Sequence, residues 1–243
     1  MKRLAGKRIL ITRGVDDCAE WAEQLTRYDA TPVTLPCIET EIIDTPELRA
    51  QLAAAVPQTD WLVFTSRRGV EAFAALHEGA IGDARIAAVG PITGEAARLR
   101  LGRIDLIGRG GTATQLAATM LTERVLNGRP RLLLALAENA DERLETALRD
   151  AARCTRFDVY RTIPAPSRAQ KRAMSTLGAD NVLLASPSAV TGFMNQVELD
   201  VAVDIFTIGP STSAAARAQG LVVTAEAANP SLPGMLEAML WQN

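Results

Sequence analysis

The chain has 243 residues, of which 48% are hydrophobic and 22% charged, with a formal net charge of −2. That length suits one or two globular domains, and the near-neutral charge gives no general attraction to nucleic acid or an anionic membrane, so any anionic ligand has to be gripped by local donors. No apolar run approaches the roughly 18 to 20 residues of a membrane span, and the opening MKRLAGKRILITR is too poor in apolar residues for a signal peptide; the expected address is the cytoplasm.

Short apolar, β-branched runs alternate with helical patterns along the chain. RILIT at 8–12 reads as the first strand and AEWAEQLTRY as the helix after it, with Trp21 and Leu25 four residues apart on one face. LPCIETEIIDTP, 35–46, is an extended, proline-marked stretch. WLVFT at 61–65, IAAV at 86–89 and IDLI at 104–107 continue the strand series, and TATQLAATMLTERVL supplies a further helix. A second series opens with RLLLAL from Arg131, followed by the helix ADERLETALRDAA, in which Leu144 and Leu148 share a face. TRFDVYRTI, VLLAS, DIFTI and LVVTA read as its remaining strands, and LPGMLEAMLW as a closing helix. Within this series DVYRTIPAPSR, 158–168, is a second extended, proline-marked stretch. Strand and helix alternation argues for parallel sheets with crossover helices, and a full series of five strands, as RLLLAL, TRFDVYRTI, VLLAS, DIFTI and LVVTA make, is the number in a flavodoxin-like doubly wound sheet.

The two series are copies of each other. WLVFTSRRGVEAF, 61–73, returns as NVLLASPSAVTGF, 181–193, and IAAVGPITGEAAR, 86–98, returns as IFTIGPSTSAAAR, 205–217, at an offset of about 120 residues. Two folding schemes satisfy this repeat. The chain either crosses between domains at the two extended stretches or folds as consecutive halves, 1–127 and 128–243, and the pattern leaves both open.

Shared residues fall at turns between a strand and the next helix, where ligands of open α/β sheets sit. The candidate turns are Thr12-Arg13-Gly14, Thr65-Ser66-Arg67, Gly90-Pro91-Ile92-Thr93, Ser186-Pro187-Ser188 and Gly209-Pro210-Ser211-Thr212. Free N–H groups at a helix start, together with the helix dipole, suit carboxylate or phosphate. Hydroxyls add donors, and Arg13, Arg67 and Arg68 can add charge-assisted bonds. The plainer reading is that these Ser and Thr residues only cap their helices, worth about 1 kcal/mol each. There is no P-loop, no G-x-G-x-x-G run follows the first strand, and GRGGTATQLA at 108–117 reads as a flexible lead-in to a helix. Cys18, Cys37 and Cys154 are odd in number and widely spaced, as expected of reduced packing residues. The single histidine, His77, lies near a helix end and reads as a cap or dipole partner, so histidine triads and multi-histidine metal sites have no support.

In order along almost the whole chain, ILITR, LPCIET, DWLVFTSRRGVEAF, IAAVGPITGEAA, FDVYRTIP, VLLASPSAVTGF and IFTIGPSTSAAARAQG resemble the motifs of the uroporphyrinogen-III synthase family. The resemblance implies an α/β fold of two flavodoxin-like domains joined by a two-stranded linker, with the active site in the cleft. The first domain would be 1–36 plus 166–243, the linker strands 37–46 and 157–165, and the second domain 47–156. It implies the substrate hydroxymethylbilane, a linear tetrapyrrole bearing an acetate and a propionate on each ring. The implied reaction expels the terminal hydroxyl as water and closes the ring through an azafulvene and a spiro intermediate, inverting ring D. That task is mainly orientation, with no metal or cofactor.

Tyr160 matches the family's linker tyrosine and is the candidate general acid at the leaving hydroxyl; packing of the linker is its plainer role. By motif match, substrate-binding roles fall to Thr12, Arg13, Ser66, Arg67, Thr93, Ser186 and Thr212, while Lys171 reads as solvated surface. Three departures touch the site: Gly14 where a proline often follows the arginine, AEN after RLLLAL where a basic or glycine-containing turn is common, and Arg67-Arg68 where small or amide residues are usual. A monomer without nucleic-acid or membrane partners is expected, with transient hand-over from the preceding bilane-forming enzyme. The alternative function is a catalytically silent, synthase-like module that binds a tetrapyrrole or another polyanion.

Overall fold

The computed structural model describes residues 4–241; residues 1–3 and 242–243, at the outer ends of the anticipated first domain, lie outside the described residues. In chain order the elements are β1 (Arg8–Ile11), α1 (Val15–Arg27), β2 (Thr31–Thr34), β3 (Ile38–Ile42), α2 (Pro46–Ala55), β4 (Trp61–Phe64), α3 (Arg67–Leu76), β5 (Arg85–Ala88), α4 (Pro91–Leu101), β6 (Leu106–Ile107) and α5 (Ala113–Thr122). They continue with β7 (Arg131–Ala137), α6 (Arg143–Leu148), β8 (Arg153–Pro164), β9 (Arg172–Ala173), α7 (Met174–Leu177), β10 (Asn181–Leu184), α8 (Pro187–Gln196), β11 (Val197–Glu198), β12 (Asp204–Thr207), α9 (Pro210–Ala218), β13 (Ala225–Glu226) and α10 (Leu232–Trp241). The chain divides into two units, Met1–Glu39 with Thr162–Asn243, and Thr40–Arg161.

Unit 1 is built on a five-stranded sheet in the order β2-β1-β10-β12-β13. Every one of its pairings is parallel. Unit 2 carries β8-β7-β4-β5-β6, again in parallel register, with β3 added beside β8. Numbered by position in the sequence repeat, both sheets read 2-1-3-4-5, the flavodoxin order, with switch points between β1 and β10 and between β7 and β4. Each sheet takes two strands from one copy of the repeat and three from the other: β1 aligns Leu10 with Val182, far along the chain, rather than pairing with β4.

The apolar strands are solid hydrophobic runs because helices cover both faces. In β4 all four residues are buried, and their side chains alternate: Leu62 and Phe64 enter one core with Leu48 and Leu52 of α2 and Phe73 of α3, while Trp61 and Val63 enter the other with Leu116 of α5 and Leu144 of α6. Unit 1 repeats the arrangement. Ile9 and Ile11 pack with Trp21 of α1 and Met235 of α10, and Leu10 with Met174, Phe193 of α8 and Ala216 of α9.

Strand β2 and helix α2 were not anticipated, nor were the short elements β9, α7 and β11. Strand β2, TPVT, is half exposed and carries Pro32, which an edge position tolerates and an apolar-run search passes over. Helix α2 does carry start signals, since Thr45 caps it by accepting from the Leu48 N–H and Pro46 holds its first position, but an extended reading of 35–46 hid them. The anticipated last strand of the repeat, LVVTA, overlaps the observed β13 only at Ala225, the strand continuing to Glu226, and Val222 is left 82% exposed. In the 108–117 segment, Gly110 and Gly111 hold positive φ and let the chain turn into Thr112, which caps α5. All three cysteines are free. Burial is the main cause that pushes the Cys18 thiol up to about 11 and Cys37 to about 12. His77 is the C-cap residue of α3, its ring 5.5 Å from that of Phe73.

Candidate anion-binding site

In unit 2 the switch point lies between the carboxyl ends of β7 and β4, where β4 runs into Ser66. Ser66 adopts extended backbone angles and caps α3, its Oγ accepting from the Gly69 N–H at 2.9 Å. The same Oγ lies 2.9 Å from the hydroxyl of Tyr160. Tyr160 stands within β8 where its pairing with β7 ends, opposite Ala137, with only 8% of its surface exposed and its ring among Phe64, Ala135 and Val159. Small residues at the end of β7 let the phenol reach across to β4. Because the amide donation leaves the serine proton free, the pair has two arrangements: Tyr160 donates to Ser66, or Ser66 donates and the tyrosine proton is available to a ligand.

Gly69 sets this geometry. A β-carbon there would lie 2.8 Å from the Ala135 carbonyl oxygen, so only glycine lets α3 start this close to β7. Arg67 lies near Glu71, 3.8 Å from its carboxylate, and is partly exposed. The following turn starts α4 at Gly90-Pro91 with no side-chain cap, and Thr93 is buried in its first turn.

In unit 1 the switch point falls between β1 and β10. Thr12, fully buried, donates to the Leu183 carbonyl at 2.6 Å, so its proton is committed to the sheet. Arg13 is partly exposed, bonded to Asp17 at 2.7 Å and stacked over Trp21, with a buried Nε that has no partner. Ser186 caps α8 by accepting from Ala189 N–H at 3.1 Å. The α9 turn is different. Gly209 offers no side-chain cap, and Thr212 in the first turn is 1% exposed with an Oγ that makes no hydrogen bond. A buried hydroxyl without a partner costs about 1–3 kcal/mol, a cost that a bound oxygen acceptor would remove. The candidate residues thus form two sets: Thr12, Arg13, Ser186 and Thr212 on unit 1, and Ser66, Arg67, Thr93 and Tyr160 on unit 2.

Sequence reasoning passed over the polar chain that continues from this turn. Thr207 at the end of β12 and Ser213 on α9 are both buried, with hydroxyl oxygens 2.6 Å apart, and Ser213 donates to the Glu226 carboxylate on β13. The signal was available, because the corresponding positions of the other repeat, Ala88, Gly94 and Ile107, are apolar. A groove of about 540 Å³ lined by Gln51, Gln58, Arg131 and Phe157 opens at the start of β7, the end opposite Ser66. Among the described residues no three His, Cys, Asp or Glu side chains cluster as metal ligands would, and no helix is long and apolar enough to cross a membrane.

Fold and turns together define a class: a two-unit, doubly wound α/β protein whose strand ends present hydroxyls and uncapped helix starts, a surface suited to carboxylates. Sequence comparison narrows the class. The family model described as uroporphyrinogen-III synthase HemD matches residues 19–237, and the chain belongs to that family. A porphyrin biosynthesis protein HemD of Ruminiclostridium josui is 28% identical over 154 residues, 62% of this chain and 28% of that protein, so the match spans just over a quarter of the relative's length. Among solved structures, the fold is similar to uroporphyrinogen-III synthetase of Helicobacter pylori 26695, at a TM-score of 0.57 and 15% identity over 98% of this chain and 100% of that one. It is also similar to a mutant uroporphyrinogen III synthase of the extremely thermophilic bacterium Thermus thermophilus, at a TM-score of 0.52 and 21% identity over 98% of both chains. At these identities the structural likeness speaks for the fold.

Proposed function

We propose that the protein is a uroporphyrinogen-III synthase, a hydro-lyase that closes hydroxymethylbilane to uroporphyrinogen III with inversion of ring D. The observation that carries the reading, in a chain of this family, is the Tyr160 hydroxyl held 2.9 Å from Ser66 Oγ at the switch point of unit 2. A phenol fixed by a serine that is itself fixed by a helix amide keeps one donor in a set place, as a general acid at a leaving hydroxyl requires. Thr212, with its unpartnered buried Oγ on an uncapped helix start, is proposed to donate to a substrate carboxylate. Arg13, Arg67, Thr93 and Ser186 are proposed to border the other acidic side chains of the substrate. Thr12 is proposed to act through position, holding the end of β1 against β10 so that Arg13 is presented. The bilane also closes unaided to the type I isomer, so the enzyme's contribution is chiefly orientation of ring D.

The same reading makes the protein a monomer of the cytoplasm that receives bilane from the preceding enzyme. The test generates hydroxymethylbilane in place, adds the purified protein without metal or cofactor, oxidises the products and separates the porphyrin isomers. Predominant type III is expected. Type I at the rate of a protein-free control would overturn the assignment and leave a silent tetrapyrrole-binding module as the better description.

A further inference from the structure

The polar chain Thr207–Ser213–Glu226 ends in a carboxylate on the same rim as Thr212 and the start of α9. Its proton direction is fixed. Ser213 gives its single proton to Glu226, so the short contact between Ser213 and Thr207 has Thr207 as donor. The two hydroxyls therefore form a relay, Thr207 to Ser213 and Ser213 to one carboxylate oxygen, Oε2. The other, Oε1, makes no hydrogen bond among the described residues, and Glu226 is exposed and forms no ion pair with a described Lys or Arg. In unit 2 the same three positions hold Ala88, Gly94 and Ile107, and a β-carbon on Gly94 would meet Ile107 Cδ1 at 3.0 Å. An apolar contact thus suffices to close this corner of the fold, so closing it does not require the tethered carboxylate of unit 1.

A fixed negative charge is an odd neighbour for groups proposed to hold substrate carboxylates, because like charges repel. What it can attract is the other face of the same substrate, the pyrrole N–H groups and any positive charge that develops on them. We propose that Glu226 Oε1 accepts a pyrrole N–H of the bilane and stabilises the cation formed on loss of water. In that step the bond between the terminal methylene carbon and its hydroxyl oxygen breaks, the electron pair leaving with oxygen, which takes one proton from the general acid and departs as water. The pyrrole nitrogen lone pair then fills the deficit through the ring, forming the exocyclic double bond and leaving the positive charge on the N–H nitrogen. A carboxylate already anchored by Ser213 meets that charge without reorganising, which favours the transition state over the neutral ground state. The inference rests on the synthase reading and adds to it a residue that touches the reacting ring.

The test compares wild type with Glu226→Gln, using bilane generated in place, steady-state kinetics, isomer analysis and a thermal melt. Glutamine keeps an acceptor oxygen for Ser213 and removes the charge. The expected result is a kcat lower by about tenfold or more, with KM unchanged or smaller and the melt unmoved. A kcat within twofold of wild type would overturn the proposal, as would a loss carried wholly by a higher KM together with a lower melting temperature, the pattern of a structural tether. Should the glutamine variant melt below the assay temperature, Ser213→Ala decides: the charge stays but is no longer anchored, and kcat falls several-fold at unchanged KM, whereas an unchanged kcat sinks the idea. A wild-type protein that yields only type I at the control rate removes the synthase reading and this inference with it. A wild type that makes type III while Glu226→Gln matches it removes this inference alone.

Discussion

Ser66 and Ser186 stand about 120 residues apart, each closing a strand and capping the helix that follows with the same bond to the third residue on. Ser66 Oγ also meets the Tyr160 phenol, whereas Ser186 Oγ makes its cap bond alone among the described residues. The helices behind them differ in a matching way. Helix α3 has Gly69 and Ala72 where α8 has Ala189 and Gly192, so the glycine sits in the first turn of one and the second turn of the other. In α3 it admits the Ala135 carbonyl beside Ser66; in α8 it admits the Cys37 carbonyl, 1.7 Å from where a β-carbon would be. A duplicated turn therefore keeps its cap and diverges where the neighbouring backbone comes closest. Glycine position records which backbone that is.

Exchanging those glycines gives the largest expected effect. Gly192→Ala forces α8 off the Cys37 segment and is expected to cost about 3 kcal/mol in chemical denaturation, with Gly69→Ala less costly because its contact is longer. A Gly192→Ala protein as stable as wild type would break the claim that close approach fixes these positions. Next is Tyr160→Phe, expected to slow turnover about tenfold while leaving folding nearly intact. Removing the two caps sharpens the comparison further. Ser66→Ala and Ser186→Ala should each lower stability by about 1 kcal/mol, but Ser66→Ala alone should also reproduce most of the Tyr160→Phe defect in kcat. Equal kinetic effects of the two would show that the phenol contact carries no function.

Thr212→Val should raise the substrate KM several-fold at constant or slightly higher stability, since the change removes a buried hydroxyl that has no partner in the free protein. The smallest effect belongs to the thiols. Cys18 and Cys37 have folded values of about 11 and about 12 against an ordinary value of 9.0, raised chiefly by burial. Folding therefore favours their protonated forms: the stability they contribute is intact below pH 9.0 and is lost as pH rises through about 11 and about 12. Native protein at about pH 8, below both values, should resist alkylation at both positions, measured by mass after a short exposure.

Much of the architecture was legible in order and period. Fully apolar runs such as WLVF and the LLLAL after Arg131 could be read as interior parallel strands, and the serine turns as helix starts, because burial on two faces and capping are local demands. Strand β2 escaped because an edge strand needs neither an apolar run nor a free N–H at Pro32. At the site, motif resemblance pointed to Tyr160 and Ser66 separately, but their contact crosses from the middle of β8 to the turn after β4, past β7, and no spacing encodes it. Glu226 was passed over because the strand expected there, LVVTA, stops one residue short of it, and its partners Thr207 and Ser213 read singly as ordinary polar residues.

By itself the sequence determined a duplicated α/β chain, the places where its helices begin, and an order of motifs that matches one family, since these depend on patterns within about a dozen residues. It did not determine which copy's strands share a sheet. Either copy of the repeat offers the same apolar runs at its switch point, so pairing β1 with β4 or with β10 satisfies the same local pattern. Tertiary structure decided for β10, in register from Ile9 opposite Asn181, and with that choice fixed which turns share a unit: Arg13 with Ser186 and Thr212, and Ser66 with Tyr160. Sheet partners are chosen by packing and hydrogen bonds between residues far apart in the chain, and that information is held by the folded whole.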